Sequence, residues 1–143
     1  MRLRSNTDWV ARLVASRIFS DADAWVIVEP VRCALQRLID GQGGGSLSDL
    51  GKVGYALNLA WIRSRKQLDE FSMRSLEAAG GALALCELRC EDVGEYILTT
   101  EEKELACAGV NLYEIILREC SLLQWAEAES DFLAHLAEAR TAA

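Results

Sequence analysis

The sequence predicts an all-α fold: a single-domain bundle of about five helices with a long C-terminal helical hairpin. Alanine, leucine, glutamate and arginine, which favour helices, dominate the segments between clusters of glycine. Apolar residues recur at spacings of three and four, as one buried helix face requires. The 143 residues are enough for one domain with its own core. We expect one domain over 1–143, with N-terminal helices in 1–40, a glycine-rich linker at 41–46 and long helices in 47–143.

The N-terminal part predicts two helices. Residues 7–19 form the first, because Trp9 and Leu13 lie on one apolar face of the pattern. The second runs from about Asp21 to Asp40 and follows a capping-box-like start at Ser20–Asp23. Pro30 lies inside this second pattern and predicts a kink there. Alternatively, Pro30 is the first residue of a separate helix.

The glycine-rich stretch separates these helices from the rest. Ser46 or Ser48 can cap a third helix that ends at about Lys66. A fourth helical region follows from Gln67 to roughly Ile97. Gly80–Gly81 lies in the middle of that region and predicts either a kink or a close contact between helices.

A capping box begins the last helical segment. Thr99 and Glu102 have the spacing at which each side chain can bond the other's backbone N–H. The apolar pattern then continues to about Arg140, and one unbroken helix of that length would measure about 57 Å. It therefore either breaks near Ser121 or Ser130, or overhangs the domain and packs against a second copy.

Charge is divided unequally between the two halves of the chain. Residues 1–75 hold 11 lysines and arginines against 8 carboxylates, a net charge of +3. Residues 76–143 hold 4 against 14, a net charge of −10. Such asymmetry concerns surfaces and partners more than fold. The acidic half carries a helical apolar pattern, so we expect a rigid acidic surface and not a disordered tail.

Several chemistries are disfavoured by the residue inventory. The glycine stretch follows a helix and has Ser46 where a dinucleotide fingerprint needs its last glycine, and Gly51-Lys52 lacks the earlier glycine of a phosphate loop. The spacing of the cysteines along the helices is too irregular to predict a zinc site, as Cys86, Cys90, Cys107 and Cys120 show. We interpret these four and Cys33 as reduced thiols that pack in the core.

The chain offers a single histidine, His135, on an acidic helix near Asp131 and Glu138. One histidine cannot supply both Glu-x-x-His pairs of a di-iron bundle, and no Gly-x-Ser-x-Gly motif provides a nucleophile. We therefore expect no catalytic residues, no cofactor, no metal and no enzymatic activity.

Nucleic acid is not the expected partner. Arg63, Arg65, Lys66 and Arg74 form the one basic cluster, but Asp69 and Glu70 interrupt it. The chain has a net charge of −7, whereas a nucleic-acid-binding domain is normally basic. No uncharged run is long enough to span a bilayer and no signal peptide is evident, so we expect a cytoplasmic protein with no membrane contact.

The acidic C-terminal half predicts a partner-binding surface for a basic protein. Trp125 is the candidate anchor, because tryptophan is enriched at interfaces and this one lies off the main apolar stripe beside acidic residues. The predicted partner-binding residues are Trp125, Glu127, Glu129, Asp131, Glu114 and Glu119.

Two functional classes follow. The first is a small, non-catalytic protein that inhibits or masks a basic, nucleic-acid-handling partner. Its concrete form is an inhibitor that a phage or other mobile element encodes against a host defence nuclease. The alternative is a homodimeric regulatory or scaffold subunit that pairs through the C-terminal helix, with acidity serving only solubility.

Overall fold

A computed structural model describes residues 16–40 and 44–142, and 82% of these residues are helical. The predicted all-α bundle is confirmed. Five helices span the described residues: α1 (Asp21–Asp40), α2 (Leu47–Lys66), α3 (Glu70–Cys90), α4 (Thr100–Glu119) and α5 (Leu122–Ala142). In that part of the chain, no helix is both long and apolar enough to cross a membrane.

The N-terminal prediction is partly tested. Most of the predicted helix 7–19, including Trp9, lies outside the described residues. Its last residues are not helical, because Ile18 forms an isolated antiparallel bridge with Ser121. Arg17 O accepts a hydrogen bond from Leu122 N at 3.0 Å, which satisfies a donor at the start of α5.

Helix α1 has the predicted bounds. Asp23 N donates to Ser20 Oγ at 3.2 Å, as the capping pattern indicated. Pro30 lies inside the helix on its exposed side, so no second helix begins there. Ala24, Val28 and the buried positions that follow every three or four residues face the rest of the bundle.

Helix α2 is the centre of the bundle and packs against α1, α3, α4 and α5. It begins at a capping box in which Asp49 N donates to Ser46 Oγ at 3.2 Å and Ser46 N donates to Asp49 Oδ2 at 2.9 Å. Asp49 is buried and also accepts two hydrogen bonds from the Arg37 guanidinium of α1. Of the two predicted caps, Ser46 is the one used.

Helix α3 ends seven residues earlier than the predicted Ile97, at Cys90. Gly94 has a φ of +74°, a conformation that side chains disfavour and that turns the chain out of the helix. Tyr96 and Gly45 then pair as an isolated antiparallel bridge with two hydrogen bonds of 3.0 Å. This non-local pairing, which periodicity does not report, keeps the residues after Gly94 out of a helix.

The close helix contact predicted at Gly80–Gly81 is found at another glycine. A Cβ built on Gly80 or Gly81 meets nothing within 4 Å. A Cβ on Gly109 of α4 would lie 2.5 Å from Ala79 Cβ of α3 and 2.9 Å from Leu57 Cδ2 of α2. Gly109 therefore marks a close approach of three helices that a side chain would prevent.

The last predicted helix breaks near Ser121, one of the two positions anticipated. Cys120 is extended at the end of α4, and Ser121 Oγ accepts from Gln124 N at 3.1 Å to begin α5. The capping box that starts α4 is confirmed, with Glu102 N donating to Thr99 Oγ1 at 3.2 Å. Residues 133–142 of α5 are all exposed, so its C-terminal half extends beyond the bundle.

Candidate partner-binding surface

The structure places Trp125 in the core instead of on an exposed surface. The side chain is 4% exposed and its ring lies 5.8 Å from that of Tyr113 in α4. Burial raises the pKa of Tyr113 to about 12, as expected for a phenol in an apolar setting. Because a partner cannot reach Trp125 in this conformation, the expectation of an exposed anchor is corrected: Trp125 attaches α5 to the bundle.

Two of the predicted acidic residues are already engaged within the chain. Glu114 accepts hydrogen bonds from Arg32 at 2.9 Å and Arg118 at 3.2 Å. Burial alone would raise the pKa of Glu114, but these two guanidiniums outweigh it and the pKa is lowered. Asp131 forms an ion pair of 2.7 Å with Lys66. Neither carboxylate is an isolated negative charge.

The remaining three predicted carboxylates occupy different environments. Glu119 and Glu127 are exposed, at the end of α4 and the start of α5. Glu129 is half-buried and its charge helps to raise the pKa values of Tyr55 and Tyr113. Of the six predicted residues, Glu119 and Glu127 are the two that are exposed and take part in no ion pair among the described residues.

Exposed carboxylates are densest at another place, around the α3–α4 connection. Residues 87–104 hold seven carboxylates and two cations. One carboxylate, Glu102, is buried against Arg89, and the other six are exposed. Among residues 16–40 and 44–142, no ion pair involves these six. We call this surface the acidic end: Glu87, Glu91, Asp92, Glu95, Glu101 and Glu104.

The ion pair between Arg89 and the buried Glu102 holds the acidic end together. Arg89 Nη1 and Nη2 each donate to one Glu102 carboxylate oxygen at 2.7 Å, and Nη2 also donates to Ile97 O at 2.7 Å. These contacts join the end of α3, the connecting segment and the start of α4. They also lower the pKa of Glu102, since the guanidinium favours the charged carboxylate.

A second set of contacts fixes the connecting segment to the N-terminal part of the chain. Besides the Gly45–Tyr96 bridge, Leu98 N donates to Leu38 O of α1 at 3.0 Å. Tyr96 and Leu98 are buried in the core. The backbone that carries the exposed carboxylates is thus attached on both sides.

Apolar side chains are exposed within the acidic end. Leu88 is 72% exposed and Val93 is 71% exposed. Protein interfaces commonly combine an apolar centre with a polar or charged rim. The surface can therefore offer a partner both apolar contact and negative charge.

The carboxylates of the acidic end belong to the wider acidic surface from Glu77 to Glu138 that the sequence predicts, but the prediction of a helix through residues 91–97 hid the turn that lies among them. The density of charge was readable, since seven carboxylates fall within 18 positions. The missing information was the turn at Gly94, which brings the end of α3 and the start of α4 together.

A groove lies beside the acidic end, between α2 and α3. It has a volume of about 680 Å³, and its lining includes the exposed Leu47 together with Leu50, Leu57, Leu76 and Leu83, which are almost fully buried. Glu87 of the acidic end also lines this groove. At the far end, Trp61 Nε1 donates to Glu77 Oε1 at 3.0 Å, and Trp61 separates the groove from a smaller cavity of about 420 Å³ beside α5.

The cysteines and the histidine do not gather into a reactive site. All five cysteines are free; four are buried or half-buried, whereas Cys33 is exposed, contrary to the core-packing expectation. Burial raises the pKa of the Cys86 thiol to about 11, which keeps it protonated and unreactive. His135 is exposed, 3.8 Å from Glu138. The described residues contain no group of histidine, cysteine and carboxylate side chains placed to hold a metal ion.

Comparison with protein-family models, curated proteins and solved structures finds no match to this chain.

Proposed function

We propose that this chain is a non-catalytic interaction protein whose acidic end binds and masks a basic, nucleic-acid-handling partner. The observation that carries the proposal is the acidic end itself: six exposed carboxylates in the same segment, 87–104, as the exposed Leu88 and Val93. Negative charge of this density speeds encounter with a basic surface and repels nucleic acid.

The attachment of the acidic end supports the proposal energetically. A flexible acidic loop would lose conformational freedom on binding, and that loss weakens affinity. Here Arg89, Glu102 and the Gly45–Tyr96 bridge hold the backbone before any partner arrives. The biological form that we favour is an inhibitor from a phage or other mobile element that acts in the cytoplasm on a host defence nuclease.

The test is capture of partners from a lysate of the host cell at low and at high salt, followed by their identification. We expect a basic nucleic-acid-binding protein, released by high salt and by added duplex DNA, because DNA and the acidic end compete for one basic groove. The variant with Glu91→Lys, Asp92→Lys and Glu95→Lys should lose it.

A matched control separates local recognition from total charge. Glu119→Lys, Glu127→Lys and Glu138→Lys change the net charge by the same amount on exposed positions away from the acidic end. Capture that survives in this control and fails in the acidic-end variant supports the proposal. Equal loss in both variants, or capture that DNA does not reverse, contradicts it.

A second candidate, the homodimeric scaffold, is favoured by the C-terminal half of α5. Leu133 is 60% exposed and Leu136 is 40% exposed, on a segment that extends beyond the bundle. Light scattering tests it: a dimer that Leu133→Glu dissociates would support this function. Leu85→Glu is the control, because Leu85 of α3 is also 60% exposed. A monomer at all concentrations contradicts the candidate.

A further inference from the structure

We propose that the α2–α3 groove binds one amphipathic α-helix of the partner, with an apolar stripe flanked by lysine or arginine. The inference rests on the proposed function, because it names the element of the basic partner that the chain recognises. Helix-in-groove docking is a recurrent mode in which an apolar helix face enters an apolar cleft.

The dimensions of the groove suit a single helix. Its lining on α2 runs from Leu47 to Trp61, which corresponds to about 21 Å along the helix axis. That length accommodates about four turns of a docked helix. The volume of about 680 Å³ fits one row of side chains and is too small for a folded domain.

Three of the residues that line the groove are glycines, and they leave open space where side chains would stand. A Cβ built on Gly51, Gly54 or Gly80 meets nothing within 4 Å. Absence of side chains at these positions allows another backbone to approach closely. The exposed apolar surface of Leu47, at 56%, would then be covered by the docked helix.

Charge complementarity predicts which residues flank the apolar stripe of the docked helix. Glu77 and Glu87 stand on the α3 side of the groove, and Glu87 is shared with the acidic end. In the described part of the chain, neither carboxylate takes part in an ion pair. A helix flanked by lysine or arginine would satisfy both, whereas a second copy of this chain, with a net charge of −7, would be repelled.

The experiment is a selection from a displayed library of helical peptides about four turns long, with a fixed apolar stripe and randomised flanks. The bait is the full chain. We expect enrichment of peptides with lysine and arginine in the flanks. No enrichment, or enrichment of acidic flanks, overturns the inference.

Two adjacent glycines of α3 give a matched pair of variants for the selected peptides. Gly80 lines the groove and Gly81 does not, yet a Cβ at either position meets open space, so both positions accept a side chain without a clash at Cβ. Gly80→Leu should weaken peptide binding by at least about tenfold, and Gly81→Leu should leave it unchanged. Unfolding curves of both proteins verify the fold. Equal binding to the two variants overturns the inference.

Failure of the groove inference and failure of the proposed function give different results. If the captured partner still depends on Glu91, Asp92 and Glu95 but binds the Gly80→Leu protein normally, the function stands and the groove inference is wrong. If selected peptides require an open Gly80 but no captured protein depends on the acidic end, the groove binds a helix and the proposed masking function is wrong. Light scattering of the free chain reports whether a second copy occupies the groove instead.

Discussion

Arg89 and Glu102 form a two-pronged ion pair, with both N···O distances at 2.7 Å, across the connection between α3 and α4. Glu102 is also the third residue of the capping box of α4, so one side chain serves the helix start and the ion pair together. Its side chain is 8% exposed, which leaves little water to replace a lost partner.

We therefore predict that Glu102→Gln lowers the free energy of unfolding by about 1–3 kcal/mol, because the charged hydrogen bonds that the buried Glu102 accepts are weakened. Glutamine is accepted at this position of a capping box, so the loss reports mainly the ion pair. Urea unfolding at neutral pH measures it. The exposed neighbour variant Glu101→Gln should stay within about 0.5 kcal/mol of the wild type. Equal values for the two variants would contradict this role of the pair.

Acid should destabilise the fold through carboxylates whose pKa is lowered. The guanidiniums of Arg37 and Arg89 lower the pKa values of Asp49 and Glu102 below their usual 3.8 and 4.5. A lowered folded-state pKa means that the stabilisation is fully present above the usual value and is lost as the pH falls through the lowered one. The urea midpoint should thus decline below about pH 4. Asp49→Asn should flatten the decline, and an unchanged acid limb would refute the assignment.

Replacement of glycine by alanine should have opposite effects on stability in α2 and in α4. Gly109→Ala should destabilise by about 1–3 kcal/mol, since its Cβ would lie 2.5 Å from Ala79 Cβ. Gly54→Ala should stabilise by about 0.5–1 kcal/mol, because alanine favours helices and its Cβ meets open space. Thermal and urea unfolding compare the two proteins. A stabilised Gly109→Ala protein would show that the three helices do not approach closely there.

Truncation of Trp125 should be costly if it attaches α5 to the bundle. Trp125→Ala is expected to lower the free energy of unfolding by about 3–5 kcal/mol, the usual cost of emptying a buried aromatic site. Trp25 of α1, which is 49% exposed, provides the control, with a loss of no more than about 1 kcal/mol for Trp25→Ala. Similar stabilities of the two variants would contradict the buried position of Trp125 and its role in attaching α5.

The parts of the fold that could be predicted depend on neighbours in sequence. The box at Thr99 and Glu102 needs only a three-residue spacing, and α1 is fixed by its own apolar period from Asp21 to Asp40. The end of α3 could not be predicted, because the pairing of Tyr96 with Gly45 depends on two distant segments.

The sequence predicts the negative charge of the candidate surface, but it does not predict which residues form that surface. A negative surface in residues 76–143 follows from composition, yet which carboxylates are exposed without an ion pair depends on distant cations. Glu114 is paired because α1 brings Arg32 to α4, a contact between residues 82 positions apart. Trp125 is buried because the chain turns at Cys120, before α5 begins, and α5 then packs against α2.

Because of the Gly45–Tyr96 bridge, the acidic end depends on the folding of segments that are distant in the sequence. Its two hydrogen bonds join the α1–α2 connection to the α3–α4 connection, so this surface is complete only when both pairs of helices have docked. A partner that recognises it would bind the native chain and not the unfolded one. Each bound partner would then shift the folding equilibrium by mass action, and the melting temperature of the protein should rise with partner concentration.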